Sequence, residues 1–236
     1  FAGTKERYKP IKKETTAKKK THPLKTIKTL CRNKYFILIT LAFAVIYTSL
    51  GLTGGSRIYY AKYVLGDEML NSTMTMFNYI PTILTIMLIP VFTKRFGKIK
   101  ALFVGFLFYA AGLVLEIAGP VNLPMIYTGL VLQGIGHAAL YSCLFAIVGD
   151  VVDYSEWKDG IREEGITYSV TSFGQKIGTG LGTAALGWIL AAGHYDGTAA
   201  VQSASAIFAI KGLFLYLPLV ITVIVLIIRY LFMGID

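Results

Sequence analysis

The chain has 236 residues and a mass of 25.9 kDa; 55% of the residues are hydrophobic, only 15% are charged, and the mean hydropathy is +0.61. A soluble domain carries about 25% charged residues, so this deficit excludes an ordinary cytosolic enzyme and points to a chain that lives in lipid. The net charge of +10 is not spread over a surface: residues 1–34 hold 12 Lys/Arg and 2 Asp/Glu, and the remainder is neutral. One basic segment joined to a neutral hydrophobic body is not a nucleic-acid-binding face.

A bilayer core of roughly 30 Å needs about 20 mainly apolar helical residues. Six segments meet that test: 36–57, 70–92, 101–118, 125–149, 167–192 and 211–233. Barrel strands would instead alternate over roughly 10 residues, so the expected fold is all-α, a polytopic bundle of six transmembrane helices. The first long apolar run begins only near Tyr35, too late for a secretory signal. The sequence is read as starting mid-protein. Cys31 and Cys143 lie in unlike settings and predict no disulfide framework.

Arg57 closes helix one on the outer side, and the tyrosines Tyr59, Tyr60 and Tyr63 that follow are expected at the outer interface. Helix two carries Asn71, Thr75, Asn78, Thr82 and Thr85 on one face. The next loop, TKRFGKIK, holds Lys94, Arg95, Lys98 and Lys100. Helix three contains Glu116 near its outer end, where it is expected to reach interfacial water. Helix four places Gln133, His137 and Tyr141 at i, i+4 and i+8. With the basic tail inside, 19 Lys/Arg fall on the inner side and three (Arg57, Lys62, Lys211) on the outer, so both ends are expected in the cytoplasm.

Helix five is the most informative. Ser169, Ser172, Lys176, Thr179 and Thr183 share one face, and Gly174, Gly178 and Gly182 lie on roughly the opposite one. The glycine face suits close helix packing. An ammonium at bilayer depth costs at least about 2.5–3.5 kcal/mol, so Lys176 is expected to face a polar interior. Three polar ladders on three helices imply a shared water-filled cavity. Side chains that both donate and accept hydrogen bonds suit a hydroxyl-rich solute there. Helix–helix glue is the competing reading of the Ser/Thr stripes, and a satisfied interior imidazole the competing reading of His137. No metal site is expected.

Between helices four and five the sequence reads GDVVDYSEWKDGIREEG. Asp150 and Asp153 are expected at the C-terminal end of helix four, where the helix dipole disfavours them. Arg95 is the expected cationic partner, with Arg162 second. A charge cluster that forms in one conformation and breaks in another can latch an inner gate; a permanent surface salt bridge is the alternative.

The run GDVVDYSEWKDGIREEGITYS, followed seven residues later by Lys176, resembles the signature of the glycoside–pentoside–hexuronide:cation symporters. These are the melibiose permease relatives of the major facilitator superfamily. The opening TKER, the YYAKYVLG after helix one and the FGK turn add to the likeness, which covers essentially the whole chain. The resemblance implies a twelve-helix transporter of two halves. This chain would be the C-terminal half, with residues 1–34 a basic cytoplasmic inter-domain loop and 35–236 the six-helix bundle. It implies sugar movement coupled to Na⁺, H⁺ or Li⁺ by alternating access, in a cell (inner) membrane, with no other cofactor. The principal cation ligands would lie in the missing N-terminal half, the expected partner besides lipid and sugar. Lys176 matches a coupling lysine, and Tyr141 the position of a sugar-contacting aromatic. Thr171 and Ser172 match cavity positions, while Asp150 and Asp153 match gate carboxylates. The alternatives are a carrier of a non-sugar solute such as a lipid, or a six-helix channel or permease subunit. Only His22, His137 and His194 are available as imidazoles, in tail, mid-helix and loop, and no enzyme is expected.

Overall fold

The computed structural model describes residues 34–159, 164–199 and 201–232, and every regular element in them is helical. The helices are α1 (Lys34–Tyr63), α2 (Leu70–Phe96), α3 (Lys98–Ala118), α4 (Leu123–Asp159) and α5 (Glu164–Ala192). A sixth rod is built from α6 (Ala204–Lys211), a π-helical turn (Gly212–Tyr216) and α7 (Leu217–Phe232). Five of the rods are long and apolar enough to cross a membrane. The exception, α5, has 29 residues, about 43 Å at 1.5 Å per residue, but its glycines and hydroxyls dilute its hydropathy.

Helix ends differ from the apolar segments in a consistent direction. α1 runs on past Arg57 to Tyr63, α4 past Gly149 to Asp159, and the last rod begins at Ala204 rather than near 211. Hydropathy marks the part of a helix that tolerates lipid, whereas the hydrogen-bond ladder continues until a backbone breaker stops it. Gly97 is such a breaker. It sits alone between α2 and α3 at φ 85°, ψ 155°, a conformation open to glycine and costly for a side chain. Asp150 and Asp153 therefore lie within the last turns of α4 rather than at its end, which corrects the expectation of a dipole-disfavoured terminus.

Packing follows the small residues. Gly174, Gly178 and Gly182 are buried against α1, where an added Cβ would meet the carbonyl oxygens of Thr40, Ala44 and Thr48 in turn. Matching four-residue steps on both helices make this a backbone-to-backbone seam. α4 packs on both α2 and α3, and the last rod closes against α1 and α3. Toward the end of the bundle where α1 finishes, the core gathers Tyr60, Met74, Ile126, Leu130 and Phe214, and toward the other end Phe43, Phe106, Leu144 and Val148. Tyr60 is fully buried, its hydroxyl donating to the Pro120 carbonyl, so it is a core residue rather than the interfacial one expected. Tyr59 and Tyr63 stay half-buried around Tyr195.

Candidate functional site

Lys176 lies near the middle of α5 and is exposed on the face opposite the glycine seam. With Tyr168, Ser169, Ser172 and Phe173 it lines an open groove of about 420 Å³. The hydroxyls of Ser169, Thr179 and Thr183 turn back onto the carbonyls of Gly165, Gln175 and Thr179 in their own helix. This satisfies their donors and leaves oxygen lone pairs outward. Thr171 departs from that face. It is buried in line with the seam glycines, bonded to the carbonyls of Thr167 and Tyr168, so it packs against α1 instead of lining the groove.

A second polar region is inside the bundle, and the sequence disclosed only part of it. Gln133 is buried on α4 and donates from Nε2 to Oε1 of Glu116 on α3 at 2.7 Å. Glu116 is 0% exposed, which corrects the expectation that it reaches interfacial water. Arg57, expected as an outer-side charge closing helix one, lies well inside the longer α1 and is buried; its Nη1 donates to Thr75 Oγ1 on α2 at 3.2 Å. One turn beyond Gln133, the buried His137 ring lies between Tyr109 (5.0 Å) and Tyr141 (5.8 Å). His137, Tyr109 and Ser49 share a cavity of about 20 Å³, room for one water. Among the described residues, three buried side-chain atoms have no hydrogen-bond partner: Arg57 Nε, Glu116 Oε2 and His137 Nε2. All three belong to this layer. Buried polar atoms are normally satisfied, so three exceptions in one place mark groups held ready for a partner.

Asn78 and Thr82 have different duties. Asn78 Nδ2 donates to the Leu130 carbonyl at 3.2 Å, and Thr82 Oγ1 lies 2.8 Å from the Asn78 carbonyl and 3.0 Å from that of Gly134. This half of the α2 ladder bonds α2 to α4 and takes Asn78 away from any open cavity. Tyr141 is half-buried on α4.

At the other end of α4, Lys98 Nζ meets Asp150 Oδ1 at 2.7 Å and also the Ala146 carbonyl at 3.2 Å. Lys98, rather than Arg95, is the partner of Asp150 here. Arg95 lies with its guanidinium carbon 5.3 Å from the Phe96 ring centroid. Asp153 is exposed one turn after Asp150, and Arg162 lies outside the described residues. The groove, the buried layer and the charged end of α4 are thus three separate places: Gln133 and His137 share one, Lys176 and Ser172 another.

Apolar rods with a charged layer inside and a lysine groove outside define a polytopic membrane protein. Residues 1–235 match the model of the MFS/sugar transport protein family, and the chain belongs to that family, one of transporters rather than enzymes. It is 32% identical to the isoprimeverose transporter of Lactiplantibacillus pentosus over 93% of this chain and 45% of that protein. It is also 28% identical to the glucuronide carrier protein homolog of Escherichia coli (strain K12), over 79% of this chain and 41% of the relative. The chain therefore spans less than half the length of these curated relatives.

Proposed function

We propose that this chain is the C-terminal six-helix half of a sugar:cation symporter, moving a glycoside, pentoside or hexuronide with Na⁺ or H⁺ by alternating access. The observation that carries the reading is the exposed Lys176 at mid-helix depth in a groove with Ser172, Tyr168 and Phe173. A lysine cannot face acyl chains cheaply, so this face is covered by a polar cavity shared with a second six-helix half. The groove is one wall of such a cavity, all five of its residues belonging to α5. Its aromatic rings offer apolar faces to a sugar's C–H side, while hydroxyls and the ammonium meet its oxygens. The chain covers less than half of relatives named for isoprimeverose and for glucuronide, which supports the same division into halves. The basic segment 1–34 then joins the halves on the cytoplasmic side, both ends of this chain facing inward.

Uptake of labelled glycosides, pentosides and hexuronides by the full-length protein in vesicles tests the reading, with an imposed Na⁺ gradient, an H⁺ gradient or neither. Gradient-dependent accumulation of one sugar is expected, and it names both solute and ion. A folded, inserted protein that moves none of them refutes the sugar assignment.

A further inference from the structure

We infer that the concavity between the C-terminal end of α1 and the loop after α5 is a second sugar subsite, a vestibule that takes one ring of the solute before it reaches the Lys176 groove. The inference rests on the symporter reading, in which both ends of this chain face inward and this end of the bundle faces out. The concavity measures about 170 Å³ and is walled by Ile58, Tyr59, Lys62 and Tyr63 of α1, by Glu68 of the α1–α2 loop and by Tyr195. It falls below the roughly 300 Å³ at which sites that engulf a whole small molecule begin, a size that suits a single ring at a surface.

Local structure brings the three aromatic rings together. Tyr59 and Tyr63 are four residues apart and share a face of α1. Tyr195 comes from a different element. After α5, His194 adopts φ 57° and the Tyr195 N–H donates to the Leu190 carbonyl at 3.0 Å. This left-handed cap fixes the direction of the chain, and the Tyr195 ring stands edge-to-face with Tyr59 at 5.3 Å and with Tyr63 at 5.6 Å. The Tyr63 and Tyr195 hydroxyls lie 3.0 Å apart. One of the two O–H protons serves that bond, which leaves the other, and lone pairs on both oxygens, for a ligand.

Charge is supplied in balanced form. Lys62 Nζ is 3.4 Å from Glu68 Oε2 and 5.5 Å from the Tyr63 ring centroid. The two side chains are 49% and 62% exposed, so the ion pair is weak and either partner can exchange it for a hydroxyl at little cost. A neutral set of donors and acceptors around aromatic rings matches a pyranose, with hydroxyls at its rim and C–H bonds on its faces, better than an anion or an acyl chain. An interfacial belt needs only rings at headgroup level; it does not call for three rings from two elements closing on one another beside an ion pair. The exposed Lys176 face of α5 continues through Thr179, Thr183 and Gly187 toward the loop that carries Tyr195. A solute leaving the vestibule therefore meets hydroxyls on its way to the groove.

The experiment uses the full-length protein, with methyl glucoside, methyl xyloside and methyl glucuronide as probes. In nanodiscs, Lys176→Ala is expected to keep a weak, saturable sugar signal in saturation-transfer NMR. Adding Tyr59→Leu to that variant is expected to weaken the signal about five- to tenfold, the loss of one aromatic contact. In oriented proteoliposomes, Tyr59→Leu alone is expected to raise the outside KM by a similar factor, with kcat and the inside KM unchanged. No residual signal in Lys176→Ala, where wild type binds, overturns the inference, and so does a wild-type outside KM in Tyr59→Leu; both outcomes leave the symporter reading standing. A fall in kcat with sugar binding intact assigns the tyrosines to contacts with the facing half and overturns the vestibule as well. A wild type that neither binds nor moves any of the three sugars removes the symporter reading and the inference with it. Should Tyr59→Leu fail to fold, Glu68→Gln on the exposed loop decides: a raised outside KM with an unchanged inside KM is expected, and equal values on both sides overturn the site.

Discussion

Two cations sit at membrane depth with opposite solutions to the same problem. Lys176 solves it by exposure to a polar groove, Arg57 by a hydrogen bond to the Thr75 hydroxyl inside the bundle. Lys176→Ala in the full-length protein is expected to abolish gradient-driven accumulation while leaving membrane insertion intact, since removing an ammonium at membrane depth favours insertion; a normal accumulation ratio counts against its role. Outside the membrane, Asp196 accepts from the Thr198 hydroxyl at 2.7 Å and the Thr198 N–H at 2.8 Å. These bonds, the hydroxyl foremost, hold its carboxyl below the usual carboxylate range. Because the folded value is depressed, the stabilisation from this turn is full above the ordinary carboxylate range and fades as pH falls through the folded value. Thr198→Val should raise the Asp196 titration midpoint, read by carboxyl-carbon NMR; an unmoved midpoint refutes the assignment of cause. The burial of Arg57 is not legible in the sequence because the apolar window ends at that residue, where a cation reads as an outer-side charge; that of Glu116 is not legible because a position near a helix end says nothing of which way the side chain turns.

Among the elements, α5 shows how far periodicity reaches. Its glycine and lysine faces are separated by the helical period alone, and the glycine face meets α1 as that pattern requires. Thr171 falls on the glycine side of that boundary. Gly178→Leu should destabilise the protein by at least about 1–3 kcal/mol in detergent melts, since a side chain has no room against the Ala44 carbonyl. Gly180→Ala, where nothing lies within 4 Å of the added carbon, should instead be neutral or stabilising by up to about 1 kcal/mol. Equal effects of the two would refute the seam. Asn78 shows where periodicity fails: a polar face of α2 meets either a cavity or a backbone carbonyl, and only the position of α4 decides between them.

At the scale of the whole molecule, the charged end of α4 bears on gating. Lys98 and Asp150 are 39% and 57% exposed at the side chain, so as a static contact the pair contributes about 0–1 kcal/mol. Asp150→Lys should therefore leave the melting temperature nearly unchanged yet impair transport if the pair belongs to an inner gate, and Lys98→Asp in the same protein should partly restore it. Impairment without rescue assigns Asp150 a role apart from Lys98. The expectation of Arg95 rested on its neighbourhood in the loop; the single-residue turn at Gly97 instead carries Lys98 onto the start of α3, which packs along α4.

What the chain determines by itself is the set of properties that local chemistry and the bilayer impose. These are helices in place of strands, their number, and the separation of packing faces from polar faces. Lipid supplies no hydrogen bonds, so each apolar segment must satisfy its own backbone. What only the tertiary structure decided is which polar side chains meet. Gln133 and Glu116 are 17 residues apart, Arg57 and Thr75 are 18 apart, and each pair lies on two different helices. Their meeting depends on helix rotation and on the depth at which one rod packs against another. Those quantities are set by small residues such as Gly112 and Gly129, whose near-contact brings α3 and α4 together beside Glu116, and no single helix encodes them.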